Sequence, residues 1–253
     1  MKKFNVLRMY WKYSHNISLL FNLIKSDFGY NINSLNKFYL LNTYIGKYVV
    51  NCIDDVRQLS PNYELKINFL INEVFEKYPS GTLINVGANI GRYVVPIALK
   101  GWNVIAFEPV KKNFGKLFMN CALNNLDNVQ LYNFALGKNK SESMIYGKSD
   151  MCGSASLIRG MVGDVSEVIN VKCFDNLHLD KTNIRLIIID VDGSELDVLK
   201  GMNKSLNNFR NVNIIVEVYN DNTRNAVKKL MHDKGYEWDI IDKYNYVFSK
   251  SRS

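Results

Sequence analysis

The sequence predicts an α/β fold built on a doubly wound, mostly parallel sheet, and three observations carry that prediction. From residue 82 onward, apolar runs of strand length alternate with segments of helix length, the rhythm of a parallel sheet with helices on both faces. The first run passes straight into a glycine turn, Gly87-Ala88-Asn89-Ile90-Gly91. The last two runs, at 236–241 and 244–249, meet at Lys243-Tyr244, which suits an antiparallel hairpin and no crossover. Seven strands follow: parallel ones at 82–86, 103–107, 128–132, 185–190 and 212–218, then the closing hairpin.

Residues 1 to 60 alternate aromatic and polar residues without a firm period, and read as a mainly helical extension with a hairpin around Gly46. A helix follows, with Ser60 as its cap and Pro61 at its first position, because Ile67, Leu70, Ile71, Val74, Phe75 and Tyr78 recur at helical spacing. Pro79-Ser80-Gly81 ends it. Further helices are expected near 90–100, 110–124, 194–200 and 222–234, the first kinked or shortened by Pro96. Residues 138–182, rich in glycine and serine, read as an insertion of hairpin and loop beside the crevice. The division is therefore an extension over 1–60, read as contacting the substrate, and one domain over 61–253.

Composition excludes several classes. The chain is 47% hydrophobic and 22% charged, enough apolar material for one ordinary globular core. No apolar run approaches the roughly 20 residues of a membrane helix, and Arg8, Lys12 and His15 interrupt the start before a leader could form. The reading is cytoplasmic. Cys52, Cys121, Cys152 and Cys173 lie far apart, as do the three histidines, so reduced thiols are expected and no metal site. The net charge of +8 is diluted by interleaved acids, except in the first 25 residues, where Lys2, Lys3, Arg8, Lys12 and Lys25 stand with no acid between them. With Phe4, Tyr10, Trp11, Tyr13 and Phe21 among them, they form either a strip for nucleic acid or acidic lipid or, more ordinarily, a helix that docks its aromatics and solvates its lysines.

The strand ends carry the chemistry. A glycine turn between strand and helix lets the main chain approach a ligand and offers the helix's free N–H groups to its oxygens. The spacing here is G-x-x-x-G, without the central glycine of the dinucleotide fingerprint, which argues against NAD or FAD. The next strand, Val104-Ile105-Ala106-Phe107, ends in Glu108-Pro109. An acid about 20 residues past such a turn accepts hydrogen bonds from ribose hydroxyls, so a nucleoside site is the better reading of the pair. Asn128 to Tyr132, continuing through Asn133-Phe134-Ala135-Leu136-Gly137, falls where an adenine edge would lie. Two more strands end in acids: Asp190, Asp192 and Glu195 around Gly193, and Glu217 beside Tyr219. Ligands bind beyond the carboxyl ends of such strands, and acids repeated there are hard to explain as core, although Asp192 and Asp221 also suit helix capping.

The ordered set N-V-G-A-N-I-G at 85–91, A-F-E-P at 106–109, N-F-A-L-G at 133–137, I-D-V-D-G-S-E at 189–195, L-K-G at 199–201 and V-E-V at 216–218 resembles the FkbM-type methyltransferases over roughly residues 60 to 250. That resemblance implies the Rossmann-like class I methyltransferase fold and S-adenosylmethionine as cofactor. It implies cofactor binding by Asn85, Gly87, Asn89, Gly91, Glu108, Ala135 and Asp190, and acceptor chemistry at Asp190, Glu195 and Glu217. Three positions depart from the family pattern: Asn85 for an aspartate, Asp192 for a glutamate and Ile188 for a lysine. The expected reaction is O-methylation of a hydroxyl on a small molecule or glycan, with Asp190 or Glu217 polarising or deprotonating it. Three alternatives stay open: methylation of RNA or DNA held by the basic N-terminus, a cofactor-binding module without catalysis, and a magnesium-assisted variant at Asp190, Asp192 and Glu217. The acceptor and the oligomeric state are not written in these motifs.

Overall fold

The computed structural model describes residues 38–147, 155–159, 163 and 165–250. The basic strip at 1–25 and most of the expected N-terminal helices lie outside these residues. The chain runs through β1 (Tyr39–Thr43), β2 (Gly46–Val50), α1 (Ile53–Gln58), α2 (Leu65–Lys77), β3 (Thr82–Val86), α3 (Val94–Leu99), β4 (Asn103–Phe107), α4 (Lys111–Leu123) and β5 (Val129–Tyr132). It continues with β6 (Ala135–Leu136), β7 (Ser141–Gly147), β8 (Ala155–Ser156), β9 (Val165–Lys172), β10 (Ile184–Ile189), α5 (Glu195–Gly201), α6 (Asn203–Asn208), β11 (Val212–Glu217), α7 (Asp221–Asp233), β12 (Glu237–Ile240) and β13 (Asn245–Lys250).

The central sheet has seven strands in the order β12-β13-β11-β10-β3-β4-β5. β11, β10, β3, β4 and β5 are mutually parallel, and β13 inserts antiparallel beside β11. This is the expected architecture, and strand alternation explains its two cores. Ile84, Val86, Ile105, Phe107, Ile187 and Val216 point to one face, where they pack with residues of α5 and α7. Leu83, Val104, Ala106, Leu186, Ile188 and Ile215 point to the other, against α2, α3 and α4. Every central strand is therefore apolar on both sides, as a doubly covered parallel sheet requires.

The helix expected from Pro61 begins instead at Leu65, and Ser60 does not cap it. Its cap position is Glu64, in the left-handed region at φ 48°, while residues 60–64 form turns. Pro96 lies inside α3, which spans only six residues, in keeping with the shortening expected of a mid-helix proline. Within the expected insertion, β7, β8 and β9 join β6, which precedes it, in a second, four-stranded sheet, and Ser156 Oγ of β8 donates to the Asp192 carbonyl at 2.5 Å.

The described part of the extension is a hairpin that turns between Thr43 and Gly46, followed by α1. It packs on α4: Val49 N donates to Asn120 Oδ1 at 2.6 Å and Lys47 N to Asn124 Oδ1 at 2.9 Å. Behind this contact Lys116 Nζ meets Asp55 Oδ1 at 2.7 Å, with side-chain exposures of 1% and 0%. Burial depresses the Lys116 ammonium, and Asp55 opposes that shift. Breaking such a pair from one side typically costs about 3–5 kcal/mol, so α1 is firmly joined to the domain. Cys121 and Cys173 are free thiols, whereas Cys52 is disulfide-bonded, which corrects the reduced thiol expected there. Among the described residues, no helix is long and apolar enough to cross a membrane.

Candidate active site

The carboxyl ends of β3, β4 and β10 open onto a cavity of about 260 Å³. Its floor begins where β3 ends. Gly87, Asn89 and Gly91 have φ of 82°, 50° and 92°, so the chain leaves the strand through left-handed conformations that favour glycine and asparagine. Gly87 N and Ala88 N both donate to Phe107 O, at 2.9 and 3.0 Å, and Asp190 N donates to Val86 O at 3.0 Å. The turn is thereby bound to both neighbouring strands. A Cβ on Gly87 would lie 1.8 Å from the Asp190 carbonyl oxygen. Gly87→Ala is therefore expected to separate the ends of β3 and β10, lowering both the melting temperature and cofactor affinity, the latter by about tenfold or more; thermal melts and calorimetry would measure the two.

At the β4 end, Glu108 is only 4% exposed. Its Oε2 accepts from Asn89 N at 2.8 Å and its Oε1 from Val110 N at 2.9 Å. Burial pushes this carboxyl up to about 7, against the pull of those two N–H groups. Each oxygen retains a lone pair for a further donor. Phe107, Ala135 and Leu136 supply the apolar wall beside it.

At the β10 end, Asp190 is held well above the usual carboxylate range, first by burial and then by the charges of Glu217 and Asp192. Asp190 and Glu217 stand at the ends of adjacent strands, and the charge of Glu217 is among the causes that raise Asp190. Tyr219 donates its hydroxyl to Glu217 Oε1 at 2.9 Å. The register explains the pairing, since Ile188 stands beside Ile215 and two residues further along each strand the chain reaches Asp190 and Glu217 on the same face. After Asp190 the chain turns through Asp192 and Gly193, at φ 49° and 108°. Glu195 is 1% exposed and its Oε1 accepts from Gly193 N at 2.6 Å, so it braces this turn from below.

Of the residues expected in the site, Asn85, Gly87, Asn89, Glu108, Ala135 and Asp190 line the cavity. Gly91, Glu195 and Glu217 do not line it; Gly91 faces Leu117, and Glu217 reaches the cavity through Asp190. Among the described residues, no three His, Cys, Asp or Glu side chains form a group that could hold a metal ion, so the geometry needed by the magnesium alternative is not met there. The opposite wall comes from residues that strand-end reasoning passed over: Gln58, Tyr63 and Glu64, with Arg92 and Tyr93 beyond the glycine turn.

Residues 85–247 match the Methyltransferase FkbM domain. The chain belongs to the FkbM methyltransferase family. It is 23% identical over 209 residues to Methyltransferase 1 of Beauveria bassiana (strain ARSEF 2860), covering 70% of this chain and 84% of that relative. Among solved structures it resembles the T. thermophilus 16S rRNA N2 G1207 methyltransferase RsmC in complex with AdoMet and guanosine, with a TM-score of 0.51 and 14% identity over 88% of this chain and 52% of that one. M. jannaschii TYW2 in complex with AdoMet gives a TM-score of 0.45 and 14% identity over 87% and 89% of the two chains. At 14% identity the likeness to RsmC speaks of the class I methyltransferase fold alone.

S-adenosylmethionine is the cofactor of this FkbM methyltransferase, and the cavity residues fit it. Glu108 offers lone pairs to vicinal hydroxyls, and Gly87 leaves main chain bare. Asn85, 1% exposed, has a buried Oδ1 without a partner, an acceptor that awaits a ligand's donor. Asparagine in place of the family's aspartate keeps that acceptor and removes its charge.

Proposed function

We propose that this methyltransferase acts on a hydroxyl of a small molecule or glycan, and that Asp190 receives the hydroxyl proton. The supporting observation is Asp190, a buried carboxyl at the cavity wall, with a second carboxyl, Glu217, beside it on the next strand and outside the cavity. The Asp190 carboxylate takes the proton of the acceptor O–H, burial and the neighbouring charges raising its affinity for that proton, and Tyr219 keeps Glu217 oriented. S-adenosylmethionine supplies the methyl group, which moves to the acceptor oxygen. Glu195 acts through the turn that carries Asp192, and in this reading is a positioning residue.

Cofactor binding is assigned to Asn85, Gly87, Asn89, Glu108 and Ala135, with Asp190 at the junction of the cofactor and acceptor spaces; Gly91, which faces Leu117, shapes the turn and does not touch the cofactor. Substrate contact by the extension is supported by Asp54, Arg57 and Gln58, which border the cavity from α1. The testing experiment is calorimetric titration with S-adenosylmethionine and S-adenosylhomocysteine, followed by transfer of labelled methyl into hydroxylated metabolites and glycans. Heat with both nucleosides and alkali-stable label on an ether oxygen support the proposal. Label recovered on nitrogen or in nucleic acid overturns the acceptor class, and no heat with either nucleoside overturns the whole reading.

A further inference from the structure

We propose that Arg92 is a positioning residue that clasps residues 58–64 across the strand ends and so holds closed one wall of the methyl-transfer cavity. The inference rests on the reading of that cavity as the cofactor site. Arg92 follows the glycine turn directly and is 5% exposed. Its Nη1 donates to the Gln58 carbonyl at 2.5 Å, and its Nη2 donates to the Tyr63 carbonyl at 2.7 Å and to Asn68 Oδ1 at 3.3 Å. The guanidinium carbon lies 4.8 Å from the Tyr63 ring centroid and 5.4 Å from that of Tyr93. Nε is 3.9 Å from Glu64 Oε2, and the Tyr93 hydroxyl donates to the same carboxylate oxygen.

The segment so held has little order of its own. Between α1 and α2 its main-chain bonds are the short-range contacts Leu59 N to Val56 O, Ser60 N to Arg57 O and Tyr63 N to Ser60 O. It also contains Glu64 at φ 48°, a conformation that disfavours any residue with a Cβ. Leu59 anchors its start in the core with Tyr48, Val50 and Ile90, Asn68 Nδ2 donates to the Tyr63 carbonyl at 3.0 Å, and the Arg92 fork and the Tyr93 hydroxyl tie Gln58, Tyr63 and Glu64 to the glycine turn. The same five residues, Gln58, Tyr63, Glu64, Arg92 and Tyr93, line the cavity. A planar fork can fix two carbonyls at once while stacking on rings; a lysine ammonium is a point charge on a flexible stem and cannot do both. The wall and the cofactor turn are thus linked through one side chain, and nucleoside bound between them is released only as fast as the clasp opens.

The test compares the full chain with Arg92→Lys and Tyr93→Phe for S-adenosylhomocysteine affinity, its dissociation rate, amide exchange over 58–64 and melting temperature. Arg92→Lys is expected to speed dissociation by roughly tenfold or more and to raise exchange selectively over 58–64; Tyr93→Phe, which keeps the ring and loses the hydroxyl, should speed it by about two- to fivefold. In the double variant the two effects should combine to less than their product, since both loosen one wall. A folded Arg92→Lys protein with unchanged dissociation overturns the proposal, as does independent multiplication of the two effects. Should Arg92→Lys fail to fold, unchanged dissociation in Tyr93→Phe overturns it alone. Absence of binding by the unaltered chain would strike the cofactor reading instead, so the two failures are distinguishable.

Discussion

Asp190→Asn is expected to slow methyl transfer by about a hundredfold or more while leaving S-adenosylmethionine affinity within about threefold. The amide preserves size and can still accept a hydrogen bond through Oδ1, but it cannot take the acceptor's proton. The pH dependence follows from the direction of the shift. Burial first, and then Glu217 and Asp192, raise Asp190 well above the ordinary carboxylate range, so the carboxylate that accepts the proton grows in population as pH rises. The rate should therefore rise with pH as Asp190 ionises. Stability should move the opposite way. A carboxyl raised in the folded state binds its proton more tightly there than in the unfolded chain, so its stabilising effect is present below the unfolded value and is lost as pH rises through the folded one. Asp190→Asn should accordingly melt no lower than the parent at pH 8, and higher if this burial penalty is large. An inactive variant that melts several degrees lower would indicate a structural residue, and retained turnover would remove Asp190 from proton transfer. Single-turnover rates and melts measured together separate these outcomes.

Strand ends were legible because their signal is local. An apolar run in β3 passing into Gly87, and one in β4 passing into Glu108, need no knowledge of what lies opposite, and both residues border the cavity. Asp190 followed from the same logic. Its partnership with Glu217 is less direct: each follows an apolar run, yet only the register of β10 against β11 reveals that they share a face. The facing wall was not legible at all. Ser60-Pro61 carries the local marks of a helix start, but the chain there follows the Arg92 fork, and α2 opens four residues later at Glu64. Tertiary restraint has overridden a local cap. The buried Lys116–Asp55 pair was hidden for the same reason, since a lysine on a helix is ordinarily a solvated residue. Arg92 did leave a trace, a long cation placed immediately after the last glycine of the turn, yet nothing within ten residues of it supplies the carbonyls it holds.

Glu108→Gln should weaken S-adenosylmethionine by about ten- to a hundredfold at pH 8, because hydrogen bonds to a charged acceptor are worth roughly 1.5–3 kcal/mol. The more discriminating expectation concerns protons. Burial brings Glu108 up to about 7 even with two N–H groups directed at it, so near neutrality the unliganded site is close to half protonated. Donation from two cofactor hydroxyls favours the charged form and must lower that value on binding. Cofactor binding should then release a fraction of a proton near pH 7, and affinity should fall as pH drops below about 7, by no more than about tenfold per unit. Calorimetry in buffers of different ionisation enthalpy reads the released proton directly. In Glu108→Gln both the release and this arm of the pH dependence should vanish, since the amide does not titrate, while the Asp190-dependent rise in rate with pH should persist. If affinity in the parent enzyme is flat between pH 6 and 8, Glu108 is not the ribose acceptor, whatever its place at the rim. If instead the proton release survives in Glu108→Gln, the titrating group lies elsewhere, and Asp190 becomes the carboxyl that senses the cofactor.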